Sequence, residues 1–360
     1  MARAGLGAAW RCLFANDFDS LKARTYQANW GADHMAQGDV WDLTADCLPE
    51  QADLAWASSP CQDFSLAGAR AGLKGGRSSA FFGFWKLIQA LNAQGRAPRA
   101  VVVENVVGLL SSRGGDDFVA LCAALAAEGY LFGALEIDAA AFLPQSRPRV
   151  FVIAVREPPS PALIGDSPFQ SPAVRAGRAR LPDHLKARWI DWAPVAPAPR
   201  NSDLASLLEP DAAVTWRSAA QTRKLLDQMA PAHRAQVQAA VDSGQRRVGA
   251  VFRRSRTENG RTVQRAEVRF DGVAGCLRTP RGGSSRQMLV VVDKGQARSR
   301  LLSAREGARL MGLADDYVLP KAATGALHVI GDGVAVPVVR FLAERLLEPL
   351  LDARGRIAAE

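Results

Sequence analysis

With 360 residues, 48% of them hydrophobic, the chain can bury one large core or two unequal ones. It holds no run of about 18 apolar residues, and Met1 leads into MARAGLGAAW without a long apolar core, so neither a membrane span nor a secretion signal is expected. The net charge is +9, and most of it lies between Gln245 and Arg286, where eleven arginines face only Glu258, Glu267 and Asp271. Arginine is the cation best suited to phosphate and to guanine edges, so this window points to nucleic acid rather than to a solvated face. The cysteines, Cys12, Cys47, Cys61, Cys122 and Cys276, make no Cys-x-x-Cys pair. That spacing argues against a metal site and for a reducing, cytoplasmic setting.

The first 155 residues alternate strand-like and helix-like segments. RCLFAND (11–17) reads as a strand ending in an acid. SLKARTYQANWG (20–31) reads as a helix with Ser20 as its N-cap and Gly31 just past its end. DLAWASS (53–59) is the next strand, and the helix SAFFGFWKLIQALNAQG (79–95) follows. AVVVEN (100–105) is a β-branched run, expected as a buried parallel strand. A helix over 116–130 and a buried strand VFVIAV (150–155) complete an open, mostly parallel α/β sheet. From Pro158 to Pro210 the chain is proline-rich and reads as irregular. A hairpin is expected over 246–270 around Glu258-Asn259-Gly260, then a Gly/Ser loop and a strand over 276–292. Helical periodicity returns at 303–313 and again at 336–351.

WASSPCQDFSLAG (56–68) raises the functional question, because Cys61 sits in a loop-forming Ser-Ser-Pro context. A lone cysteine is more often a small buried hydrophobe than a nucleophile. Cys61, however, follows a strand expected to end at the carboxyl edge of the sheet, where ligands bind in open α/β folds. Glu104 ends a second such strand, and Arg147 and Arg149 stand two apart at the entry to a third. Each alone has a structural explanation; together they place a nucleophile, an acid and two cations around one sheet.

These motifs resemble the DNA (cytosine-5) methyltransferases. PCQDFS (60–65) is similar to the family's Pro-Cys loop, ENVVGL (104–109) to its Glu-Asn-Val motif and QSRPR (145–149) to its Gln-x-Arg-x-Arg motif. LLSAREGARLMGL (301–313) resembles the segment tying the recognition lobe to the catalytic domain, and GDGVAVPVVR (331–340) the late cofactor motif. The five motifs stand in the family's order. The resemblance implies a Rossmann-like, S-adenosylmethionine-dependent domain with a smaller β-rich recognition lobe. Its expected boundaries are 1–170 for the catalytic domain, 171–300 for the lobe, 301–330 for a connection and 331–360 for a return helix.

It further implies that Cys61 adds to carbon 6 of a flipped cytosine, that Glu104 meets ring nitrogen 3, and that Arg147 and Arg149 hold the base and support the Cys61 loop. Asp17 would accept from the ribose hydroxyls of S-adenosylmethionine, with Phe18 on the adenine. Asp39 would take the adenine amino group with Val40 beside the ring, and Pro60, Asp332 and Gly333 complete the cofactor set. Asp332 departs from the family's usual Asn. Gln62, Ser65, Arg253, Arg254, Arg278, Arg281 and Arg286 are the expected DNA contacts, with Arg253 and Arg254 on phosphates and Arg278 and Arg281 reading bases. The implied partner is double-stranded DNA, with room for a cognate restriction endonuclease, and the chain is expected as a monomer.

The front departs from the family, which opens on a strand and a Phe-x-Gly-x-Gly turn where this chain has only ARAGLGAAW (2–10). The expectation is a reading frame extending upstream, and a sheet with unpaired strand edges in the form given. The rival readings are a methyltransferase relic kept as a DNA reader, and an RNA methyltransferase with the same loop. A dinucleotide-dependent oxidoreductase leaves the Pro-Cys loop and the arginine-rich window unexplained.

Overall fold

The computed structural model describes residues 1–59, 80–258, 260–279 and 286–352. They divide into two compact units, one made of Ala2–Asp138, Pro148–Ala198 and the chain from Val338 on, the other of Met1, Ala139–Arg147 and Pro199–Pro337.

The first unit runs α1 (Ala2–Leu6), β1 (Ala15–Asp17), α2 (Ser20–Trp30), β2 (Met35–Gln37), β3 (Leu54–Ala57), α3 (Ala80–Ala93), β4 (Ala100–Val106), α4 (Asp116–Ala127), β5 (Leu131–Asp138), β6 (Pro148–Val155), α5 (Pro172–Arg180) and α6 (Asp183–Lys186). The N-cap of α2 is Asp19 and not Ser20: its carboxylate accepts from the amides of Leu21 and Lys22, and its charge also suits the helix's positive end. Gly31 closes α2 at φ 82°, a conformation that side chains with a Cβ resist. Of the strand expected over 11–17, only Ala15–Asp17 finds a partner, the parallel β2.

β1 and β2 form a sheet of their own, and the larger sheet has the order β3-β4-β6-β5. β3 and β4 are parallel, but β6 is antiparallel to both β4 and β5, so the expected mostly parallel sheet is corrected to a mixed one. The cause is β5, which the sequence reading missed. It returns directly into β6, which inserts between β4 and β5. Gly133 hid β5 by breaking its apolar run. A Cβ there would lie 2.0 Å from the Ile190 carbonyl oxygen and 2.8 Å from the Trp192 ring, so glycine marks a close approach. The segment expected to be irregular likewise contains α5, capped by Ser171 with Pro172 in its first turn. Proline at that position starts helices rather than breaking them. The core packs Phe81, Trp85 and Ile88 of α3 with Val101 and Val103 of β4 and Val150 and Val152 of β6.

In the second unit α7 (Ala219–Asp227) and α8 (Pro231–Asp242) precede β7 (Arg247–Glu258), β8 (Arg261–Arg269), β9 (Met288–Asp293) and β10 (Gln296–Leu301), followed by α9 (Ala304–Leu310) and α10 (Ala323–Asp332). The sheet order is β10-β9-β7-β8, all antiparallel. The hairpin register pairs Glu258 with Arg261 as expected, while Asn259 of its turn lies outside the described residues. Leu225 of α7, Met229 between the helices, and Val237 and Ala240 of α8 cover Val251, Ala266, Met288 and Val290 on one face of this sheet. By length and composition Ala323–Asp352 is apolar enough to cross a membrane, with a mean hydropathy of 1.5, but most of it is buried in the fold. It also breaks at Gly333 before helix resumes at Val336.

Arg300 at the end of β10 is 1% exposed and Glu306 in α9 is 0% exposed. They form a two-pronged ion pair at 2.6 and 2.7 Å. Burial alone would raise the Glu306 carboxyl, but Arg300 and the amides of Ser303 and Glu209 outweigh it and hold the group below 4.5. A depressed folded value means that the stabilisation is present above about pH 4.5 and is lost as pH falls through the folded value. Glu306→Gln is therefore expected to lower unfolding stability at pH 7 by about 3–5 kcal/mol and to flatten its acid dependence. Urea titrations at pH 7 and pH 4 measure both effects.

Candidate active site

β4 ends in Glu104, Asn105 and Val106. Glu104 pairs in register with Phe151, and Arg149 sits opposite Val106, so Glu104 and Arg149 are diagonal neighbours on one face of the sheet. Arg149 Nε lies 3.1 Å from Glu104 Oε1, both side chains largely buried. A carboxylate in such a place requires a countercharge, and Arg149 supplies it. Asn105, 2% exposed, donates from Nδ2 to the carbonyl of Ser59 at 2.9 Å and accepts from the Val106 amide. Ser59 is the last described residue before Pro60 and Cys61. The sequence reading quoted Asn105 in its motif but gave it no role. Pro60, Cys61, Gln62, Ser65 and Arg281 lie outside the described residues.

Asp17 and Asp39 follow adjacent parallel strands, since β1 pairs with β2 up to Asp17–Gln37 and the Gly38 amide donates to the Asp17 carbonyl. The Asp17 carboxylate accepts from the Asp19 amide at 2.8 Å, which turns the chain sharply and leaves Phe18 61% exposed. Asp39 accepts from the Trp41 amide at 3.1 Å. Val40 is packed against α3 so closely that a Cβ on Gly83 would come 2.6 Å from its Cγ1. Two carboxylates and an exposed aromatic ring at neighbouring strand ends suit a nucleoside, which offers hydroxyl and amino donors around a flat ring.

In the second unit Gln145 and Arg147 gather three separate segments. Gln145, fully buried, donates to the Leu310 carbonyl at 2.6 Å and accepts from the Leu277 amide at 3.1 Å. Arg147, 2% exposed, donates to the carbonyls of Leu277, Gly331 and Gly333 at 2.9, 2.9 and 2.6 Å, and to Cys276 Sγ at 3.4 Å. Asp332, between those glycines, accepts from the Thr279 hydroxyl. The backbone of Arg278 and Thr279 crosses so near Gly331 that a Cβ there would approach within 2.6 Å. Gln145 was missed because only the arginines of its motif were expected to carry function.

The arginines of the hairpin do not act as one set. Residues 253 and 254 are consecutive in β7, so their side chains leave opposite faces. Arg254 and Arg256 reach Glu267 at 3.5 and 2.6 Å, and Arg265 Nε donates to Glu258 at 2.8 Å. Arg256 foremost, with Arg254, holds the Glu267 carboxyl below its ordinary range. Arg253 and Arg254, both expected on phosphates, thus lie on opposite faces of the hairpin.

The family model for C-5 cytosine-specific DNA methylases matches residues 2–348. The chain is 27% identical over 338 residues to the Type II methyltransferase M.DsaV of Dactylococcopsis salina, covering 94% of this chain and 80% of that protein. To the Type II methyltransferase M.HhaI of Haemophilus parahaemolyticus it is 22% identical over 338 residues, covering 92% and 86%. Among solved structures, the S. pombe Dnmt2 methyltransferase matches with a TM-score of 0.58 at 17% identity, covering 94% of this chain and 92% of that one, and shares the fold. A family match over nearly the whole length, on a fold that buries an acid and an arginine together at a strand end, makes this chain a member of the C-5 cytosine-specific DNA methylase family, whose methyl donor is S-adenosylmethionine.

Proposed function

We propose that the protein methylates carbon 5 of a cytosine flipped out of duplex DNA, by way of a covalent bond to Cys61. The observation that carries this reading is the buried Glu104–Arg149 pair, next to an asparagine that holds the residue leading into Pro60–Cys61. Carbon 5 of cytosine is a poor nucleophile. Addition of the Cys61 thiolate to carbon 6 makes carbon 5 enamine-like, so that it can take up a methyl group. Glu104 meets ring nitrogen 3 and stabilises the charge that develops there, and Arg149 keeps the Glu104 carboxyl in place. The carbon 5 proton is then lost to a base, the carbon–sulfur bond breaks, and the thiolate is restored. The target must leave the base stack to be reached.

When bound, S-adenosylmethionine supplies the electrophilic methyl group. Asp17 and Asp39 suit its ribose hydroxyls and adenine amino group, with Phe18 and Val40 for the ring. Arg147, engaged with main-chain carbonyls, is a positioning residue in this reading rather than a contact of the base.

A duplex with 5-fluorocytosine at the target should form a denaturant-resistant adduct, because fluorine blocks the elimination step. Cys61→Ser is expected to abolish that adduct while DNA binding persists. An adduct with the serine variant on a denaturing gel would sink the assignment. Asn105→Ala removes the tie to Ser59 and is expected to slow trapping by about 10²-fold, with cofactor affinity unchanged, as for a misplaced nucleophile. Equal losses in trapping rate and in calorimetric cofactor affinity would instead mark Asn105 as a general structural residue.

A further inference from the structure

Gly83 lies within α3, between the buried Phe81 and Trp85. It belongs to none of the five motifs. A glycine inside a helix costs stability relative to alanine, because it has more backbone freedom to lose. The backbone here is ordinary α-helix, so no left-handed conformation calls for glycine. The remaining reason is a close approach by another part of the chain.

What approaches is the turn that follows Asp39. A Cβ on Gly83 would lie 2.6 Å from Val40 Cγ1, and 3.2 Å from both Cδ1 and Nε1 of the Trp41 ring. One helical turn further on, on the same face of α3, Lys86 Nζ donates to the Trp41 carbonyl at 3.4 Å. The turn is closed on itself by the Asp42 amide, which donates to the Asp39 carbonyl at 3.1 Å. The Trp41 amide in turn donates to Asp39 Oδ1. Val40 and Trp41 thus seat the turn on α3, and Trp41 holds the Asp39 carboxylate.

An added methyl group at position 83 has no easy relief within the side chains. Valine is stiff at χ1, and the Trp41 ring closes the other side. The helix is anchored by Phe81 and Trp85 in the core, whereas Trp41 is 38% exposed. The turn is the part that gives way, lifting off α3 with the carboxylate it carries.

We infer that Gly83 is a positioning residue of the S-adenosylmethionine site: its missing side chain lets Val40 and Trp41 sit down on α3 and so sets where Asp39 meets the adenine amino group. The inference rests on the reading of Asp39 and Val40 as the adenine contacts.

Calorimetric titration of the full chain with S-adenosylmethionine tests it. Gly83→Ala is expected to weaken binding about tenfold, as overpacking beneath a binding turn does. The melting temperature of the free protein should hardly change, since alanine favours the helix. Val40→Ala then gives the decisive comparison. In the parent protein it removes a wall of the adenine site and weakens binding; in the Gly83→Ala protein it makes room for the turn and should strengthen binding. A general structural role for Gly83 produces no such reversal of sign. Unchanged affinity for Gly83→Ala, or losses from the two substitutions that simply add, would overturn the assignment. So would a Gly83→Ala protein that is unfolded at the assay temperature and stays unfolded with Val40→Ala added, because position 83 would then serve core packing alone. Recovery of both fold and binding in the double variant would support it. Asp39→Ala separates this role from the reading beneath it. Unchanged affinity for Asp39→Ala means that the adenine site itself is misplaced; weakened binding by Asp39→Ala beside unchanged binding by Gly83→Ala means that only the role of Gly83 fails.

Discussion

A buried guanidinium must be met by acceptors, and Arg147 meets its acceptors in the main chain. Its donors end on carbonyls of Leu277, Gly331 and Gly333, while the neighbouring Gln145 takes the Leu277 amide and the Leu310 carbonyl. Two side chains thereby fix the segment at Leu277, the end of α9 and the turn after α10. Buried main-chain groups need such partners. The contact from Thr279 to Asp332 then ties the same segment to the turn between the two glycines. Arginine suits this position because its planar fork serves several carbonyls at once, whereas a lysine offers one compact charge.

The same principle shapes the chemistry at the end of β4. Glu104 sits where a strand leaves a core of valines, too enclosed for water to solvate a carboxylate freely. Arg149, on the antiparallel neighbour, balances the charge and sets its direction. Asn105 points the other way along the pleat and holds Ser59, so one strand end orients an acid and anchors a second strand's exit.

Much of this was legible from residue type and spacing. The β-branched run at 100–105 and the helix-closing Gly31 each state a local preference that the fold obeys. The pairing of Glu104 with Arg149 was expected only as proximity around one sheet, and register made it a contact. What stayed hidden depended on tertiary context. Gly133 concealed β5 because its reason is the Ile190 main chain and the Trp192 ring, both distant in sequence. Pro172 looked like a breaker until its place in the first turn of α5 was known. Gln145 gave no sign that it joins Leu277 to Leu310, and the separation of Arg253 from Arg254 required knowing that both lie in one regular strand. The loop with Pro60, Cys61, Gln62 and Ser65 rests on sequence alone.

The central claim is the site of methyl transfer. Duplex DNA incubated with the 360-residue protein and isotopically labelled S-adenosylmethionine, then digested to nucleosides and analysed by mass spectrometry, tests it directly. The account predicts label in 5-methylcytosine, with none in N4-methylcytosine or N6-methyladenine. Label in either of those two, or none in DNA under conditions where cofactor binding has been verified, would contradict it.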